Sequence, residues 1–165
     1  SLQFVEENRF REELRSKGLL IEDRLEVLGE VDSSSERLLE WPDRDILHGR
    51  TCVTEFQSQG RGRRGRTWLG VPCRNIILSM AWQMDRTAKR VGGLSLSVGL
   101  TLLQRLQTFG AGCLQLYWPN DIVCDHGKLA GILVDVLIDP DHRCTVIFGI
   151  GVNLQNPAVI TNHFD

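Results

Sequence analysis

The sequence predicts an α+β fold, a mixed and largely antiparallel sheet flanked by helices. Three observations carry this. Strand-like segments outnumber helical ones along the chain. The last four of them (Leu114–Trp118, Ile122–Cys124, Leu129–Ile138 and Cys144–Gly149) follow one another across short turns with no helix between them. Strands joined by tight turns pair antiparallel, so a doubly wound parallel sheet is disfavoured. Finally, 165 residues, 42% hydrophobic and 24% charged, suit a single domain over 1–165 with a sizeable core.

Residues 4–17 set Phe4, Phe10 and Leu14 among charges, with Gly18 available to stop the helix, which reads as a short surface helix. Leu25, Val27 and Leu28 form a strand running into Glu30-Val31-Asp32-Ser33-Ser34-Ser35. Asp32 or one of the serines can N-cap a helix through Leu38, Leu39 and Trp41, halted by Pro42. Thr51–Phe56 alternates and is rich in β-formers, a strand that delivers Gln57 at its end. The apolar run Asn75–Trp82 predicts a central, buried strand. Between Arg90 and Phe109 the residues Val91, Leu94, Val98, Leu102, Leu106 and Phe109 step by three or four, the period of one helix face. Gly92, Gly93 and Gly99 each cost that helix about 1 kcal/mol relative to alanine, tolerable where a sheet packs closely. Gly110 and Gly112 end it. Turns at Pro119-Asn120-Asp121, Asp125-His126-Gly127 and Asp139-Pro140-Asp141 then fold the remainder into hairpins. There is no internal repeat, low-complexity tract or linker.

The formal charge is −2, so bulk nucleic-acid binding is disfavoured. The five cysteines form no C-x-x-C pair and the four histidines are scattered, which argues against a structural zinc site and for free thiols in a reducing, cytoplasmic setting. No apolar run approaches the ~20 residues of a transmembrane helix, and charges stand where a signal peptide would be apolar.

Against this near-neutral background, Gly60-Arg61-Gly62-Arg63-Arg64-Gly65-Arg66 concentrates four arginines among three glycines. Glycine lets backbone bend closely around a ligand, and guanidinium groups are suited to oxyanions. From this stretch alone, an Arg/Gly nucleic-acid segment or a solvated basic loop reads equally well. Ordering seven such residues costs on the order of 7–14 kcal/mol of backbone entropy, so the loop is expected to stay open until a ligand closes it.

Two further features join it: Trp118-Pro119-Asn120-Asp121 in a turn, and Lys128-Leu129-Ala130-Gly131 entering the next strand. Together with Gly149-Ile150-Gly151-Val152-Asn153-Leu154, these motifs resemble, in order and over about residues 31–156, the catalytic domain of biotin protein ligases. The resemblance implies a class II synthetase-like fold and a two-step reaction. Biotin and MgATP give biotinyl-5′-AMP, and a lysine of a biotin carboxyl carrier domain then takes the biotinyl group. It implies Ser33, Ser34, Gln57, Gly60, Arg61 and Gly131 around biotin. Arg61, Arg63, Arg66, Trp68, Asn120, Asp121, Lys128 and Asn153 are implied around ATP or the adenylate, with Asp121 also a metal ligand for Mg²⁺. Lys128 and Arg63 are implied at the chemical step. No nucleic acid or membrane partner is implied, and a homodimer is an allowed assembly.

The chain departs from the family pattern in three places. Tyr117 stands where a basic residue usually precedes Trp-Pro-Asn-Asp, and Ser33-Ser34-Ser35 replaces the usual Ser-Thr-Asn. The expected domain also carries neither a winged-helix segment before it nor the C-terminal β-domain after it. A non-catalytic module that holds biotin or its adenylate, and a lipoate or octanoate ligase, are the alternatives.

Overall fold

The computed structural model describes residues 6–19, 22–41, 47–84, 93–125, 127–138 and 144–154. Its elements in order are α1 (Glu7–Ser16), β1 (Leu25–Val31), α2 (Ser34–Leu39), β2 (Thr51–Gln57), β3 (Asn75–Met84), α3 (Leu94–Thr108), β4 (Gln115–Tyr117), β5 (Asp121–Cys124), β6 (Gly127–Ile138) and β7 (Cys144–Asn153). The seven strands form one sheet in the order β1-β2-β3-β7-β6-β5-β4. Only β1 and β2 pair parallel, joined through α2; every other pair is antiparallel. The α+β expectation is met, and the sequence family of turns closes β4, β5 and β6 into consecutive hairpins.

Side-chain alternation along the central strands assigns the two faces. On one face Ala81 and Ile147 meet Leu38 of α2, Leu47 and Cys52, all almost fully buried. Burying a side chain such as Leu38 contributes about 1.5–3 kcal/mol, which fastens the short α2 to the sheet. The other face carries Ile122, Ala130 and Val152 under Leu102 and Leu106 of α3, and Val146 and Phe148 under Leu94 and Val98. Gly99 lets α3 approach: a Cβ there would come within 2.7 Å of Leu116 Cδ1 and 3.3 Å of Ile132 Cδ1.

Two expectations need correction. β3 is central but not buried on both sides, since Ile76 and Trp82 are 42% and 44% exposed. α3 makes its main contacts with β4, β5 and β6, and Met84, at the far end of β3, is the β3 residue that joins Leu94 and Val98 of α3 around the Cys144, Val146 and Phe148 cluster. Phe109, expected on the core face of the helix, is 87% exposed because α3 ends at Thr108 and Gly110 turns the chain with φ 88°. The expectations at Phe4, Pro42, Val91, Gly92, His126 and the Asp139-Pro140-Asp141 turn fall outside the described residues. Among the described residues no helix is long and apolar enough to cross a membrane.

Candidate active site

The polar residues gather on the α2 face. β1 delivers the serine run to the start of α2, where Ser33 Oγ caps the helix by accepting from the Glu36 N–H at 3.4 Å. Helix N-caps favour serine because its oxygen satisfies an amide that has no partner inside the helix. The next hydroxyl serves a different purpose. The Ser34 N–H and Oγ–H both donate to Gln57 Oε1, at 2.7 and 2.8 Å. Ser79 Oγ on β3 completes the nest, 2.7 Å from Ser34 Oγ and 2.9 Å from Ser35 Oγ. All of these residues are buried, so the network is a fully formed set of donors and acceptors beneath the sheet surface. Ser79 was not singled out by sequence, because one serine in an apolar strand has many ordinary roles.

Beside the nest the sheet surface is stripped of side chains. Gly149 and Gly151 alternate on β7, and Gly131 pairs with Gly151 from β6. A Cβ on Gly149 would meet Ser35 Oγ at 2.8 Å, and one on Gly151 would meet the Trp68 indole at 2.3 Å. Trp68 therefore lies flat against backbone. It is held there by its N–H, which donates to Gly60 O at 2.8 Å, while its own Nε1 is buried without a partner among the described residues.

The lysine reaches this same floor through an irregularity in pairing. Ile122 is opposite Ala130 but Val123 is opposite Lys128, so Leu129 is an extra residue in β6. Such a bulge re-aims the residues on either side of it. Leu129 and Ala130 both pack with the α3-side core, whereas Lys128 turns to the glycine floor. Its Nζ lies 2.9 Å from Asp121 Oδ1, an ion pair about one-fifth exposed on each side, and 5.7 Å from the centre of the Trp68 ring. Asn153 is placed differently from the position facing ATP that was expected. It is 1% exposed, its Nδ2 donates to Lys128 O at 3.1 Å, and its Oδ1 accepts from Asn75 Nδ2 at 2.7 Å. It anchors the backbone of the bulge from the neighbouring strand.

The Gly/Arg loop is a small folded hairpin. Arg61 bridges Thr67, Gly62 N–H donates to Arg66 O at 2.7 Å, and a single turn of 3₁₀ helix spans Arg63–Gly65 with Arg64 at φ 57° and Gly65 at φ 74°. Gly60 cannot carry a side chain, for a Cβ there would sit 2.6 Å from Trp68 O and 3.0 Å from Gln57 Nε2. Arg63 Nη1 donates to Asn120 Oδ1 at 3.3 Å, and Asn120 is fixed in turn by Nδ2 donating to Ile132 O at 2.9 Å. Arg61 turns away to Glu36 and Asp135, neither of which sequence reading had marked. Arg66 is exposed and its backbone closes the hairpin.

The structure thus brings Gln57, Gly60, Trp68, Lys128, Asp121 and Gly131 to one surface, with Arg63 and Asn120 in contact with each other in the neighbouring loop and turn. A buried hydroxyl and amide nest, a bare backbone floor, an indole and a lysine form a surface suited to a flat polar ring at one end and an anion at the other. Among the described residues no group of three or more His, Cys, Asp or Glu side chains is arranged to hold a metal.

A profile of the Biotin/lipoate A/B protein ligase family matches residues 28–153. The bifunctional ligase/repressor BirA of Escherichia coli is 36% identical over 130 residues, 78% of this chain and 40% of that protein. The biotin–[acetyl-CoA-carboxylase] ligase of Mycobacterium tuberculosis is 33% identical, over 79% of this chain and 49% of that protein. Among solved structures, the biotin protein ligase of Aquifex aeolicus in complex with biotin and ATP superposes with a TM-score of 0.69 at 30% identity, covering 86% of this chain and 58% of that one. The chain thus spans less than half the length of these curated relatives. With the family profile covering all seven strands but the first half of β1, this chain belongs to the biotin/lipoate A/B protein ligase family.

Proposed function

We propose that this chain carries the catalytic surface of a biotin protein ligase, which activates biotin with MgATP and passes it to a lysine of a carboxylase's biotin carboxyl carrier domain. The observation that carries the proposal is the bulge at Leu129, which sets Lys128 on the same face as the Ser34–Gln57 nest and the glycine floor. The ureido ring of biotin presents N–H donors and a carbonyl acceptor, and Ser33, Ser34 and Gln57 offer the complementary set. The valeryl chain would run over Gly131 under the loop that begins at Gly60, toward Lys128.

In the first step a carboxylate oxygen of biotin attacks the α-phosphorus of ATP, forming the mixed anhydride while the bond to pyrophosphate breaks. Two anions must meet, and at 4 Å like charges repel by about 4 kcal/mol at an effective dielectric constant of 20. Lys128 is the fixed cation for the carboxylate and α-phosphate oxygens, where charge is redistributed in the transition state. Arg63 and Arg66 reach the phosphates from the loop, Asn120 and Asp121 from the opposite turn, and Trp68 packs on the adenine side. Asn153 acts from behind, by holding the Lys128 backbone. Asp121 would supply one carboxylate for Mg²⁺, which is commonly held by one or two carboxylates with substrate phosphates and would neutralise part of their charge. In the second step the neutral amine of the acceptor lysine attacks the acyl carbon, AMP leaves, and the nitrogen loses a proton. Until then the folded loop excludes water from the anhydride. The five unpaired cysteines suit a reducing, cytoplasmic setting.

Biotin-dependent exchange of radiolabelled pyrophosphate into ATP tests the reading, since only a chain that forms biotinyl-AMP reversibly supports it. Biotin binding with no exchange would overturn the ligase in favour of a binding module, and exchange driven by lipoate or octanoate in place of biotin would reassign the substrate.

A further inference from the structure

Arg61 leaves the loop between two carboxylates that the ligase reading does not use. Its Nη1 lies 2.7 Å from Glu36 Oε1 and its Nη2 2.7 Å from Asp135 Oδ2. Glu36 belongs to α2 and Asp135 to β6, where it follows Gly131 and Leu133 on the face that bears the glycine floor. The guanidinium therefore ties the loop to a helix and to the sheet at once. The three side chains are 37%, 39% and 26% exposed, a setting in which ion pairs persist but weaken with salt. Two carboxylates on one guanidinium also leave the junction with a net negative charge, so an incoming anion finds Arg61 already engaged.

We propose that Glu36 and Asp135 are positioning residues that latch the Gly60–Thr67 loop, through Arg61, over the sheet before any ligand is bound. An anionic ligand that reaches Arg61 does so by displacing one of the two carboxylates. The latch itself is independent of the ligase reading, whereas the displacement rests on it. The backbone entropy that favours an open loop is thereby opposed inside the protein, by partners drawn from two separate elements.

The latch is tested in the unliganded full chain by tryptic cleavage after Arg63 and Arg64, in wild type, Asp135→Asn, Glu36→Gln and the double variant. Loss of two half-exposed pairs should accelerate cleavage in the double variant about three- to tenfold, with Asp135→Glu close to wild type and cleavage within α1 unchanged. A wild-type cleavage rate in the double variant would overturn the latch. Should a variant fail to fold, hydrogen exchange of the Gly62 and Trp68 amides in wild type decides instead. Raising NaCl from about 0.05 to 1 M shortens the reach of charge from more than ~10 Å to ~3 Å, so loop exchange should quicken while the β6–β7 amides hold steady, and a salt-insensitive loop would refute the proposal. Displacement is read by calorimetry with biotin. Asp135→Asn should bind biotin more tightly once a competitor for Arg61 is gone, whereas a merely structural Asp135 would give weaker binding and overturn the displacement. An absence of biotin binding in every form, wild type included, would count against the ligase reading and leave the cleavage result to judge the latch.

Discussion

Gly151→Ala would put one methyl group where the Trp68 ring now lies. A Cβ built on Gly151 falls 2.3, 2.5 and 2.8 Å from Cζ2, Cε2 and Cη2 of Trp68. Non-bonded carbons rest about 3.5–4.0 Å apart, so the ring must retreat by about 1 Å or leave. A small tilt does not suffice, because Trp68 N–H is bonded to Gly60 O and Gly60 is itself packed against the Trp68 carbonyl and Gln57. Gly151 has no positive φ, so the effect is one of contact and not of backbone strain. Overpacking of this kind costs about 1–3 kcal/mol, and at about 2–4 °C per kcal/mol for a chain of this size the Tm should fall by about 2–12 °C. Thermal unfolding followed by circular dichroism measures the loss, and a red-shifted tryptophan emission reports the displaced indole. The same substitution in a Trp68→Ala background should cost almost nothing, since the obstacle is gone. An equal penalty in both backgrounds would refute the placement of Trp68 on the glycine floor.

Ser79→Ala removes the shared partner of the Ser34 and Ser35 hydroxyls, and leaving buried polar groups unpaired should cost about 1–3 kcal/mol, read as a lower urea midpoint. Burial, then the nearby Glu26 carboxylate, push the Cys52 thiol from an ordinary 9.0 up to about 12. The folded state therefore holds a proton that the unfolded chain releases, so stability is intact below about pH 9 and falls by up to about 1.4 kcal/mol per pH unit above it until about pH 12. Cys52→Ala should flatten that alkaline slope in urea titrations, even though its stability at pH 7 is lower. Lys128→Ala should slow single-turnover biotinyl-AMP formation by about 10²- to 10³-fold while calorimetric biotin affinity changes much less, and a wild-type rate would remove Lys128 from the chemical step.

Local chemistry made the ten principal elements legible before any coordinates. Gly18 and Gly110 both adopt positive φ at helix ends, and β4, β5 and β6 turn where Pro119 and Gly127 stand. Partnership across the chain was less legible. β3 pairs along its whole length with β7, nearly seventy residues later, and nothing in either strand names the other. That distance hid the Asn75–Asn153 bond, so an asparagine expected to meet the nucleotide is an interior strut. The same blindness applied to the loop. Its arginines pointed to anions in general, while the particular carboxylates on α2 and β6 became neighbours only through folding. Glycines told least by themselves: Gly99 was recognised as a packing position, but Gly151 acquires its meaning from an indole more than eighty residues earlier.

The bulge in β6 gives the site an unusual kind of vulnerability. In a regular strand the side a residue faces is decided by whether its number is odd or even, and Leu129 is the single added count that reverses this parity between Gly131 and Lys128. Adding one residue to β5 between Ile122 and Val123 would give Leu129 a partner, let β5 and β6 pair evenly and keep every functional side chain in the sequence, yet it would send the ammonium through to the α3 side. The location of the cation is thus written in arithmetic as much as in chemistry, and a one-residue insertion in the neighbouring strand can silence the surface without touching a residue that faces it.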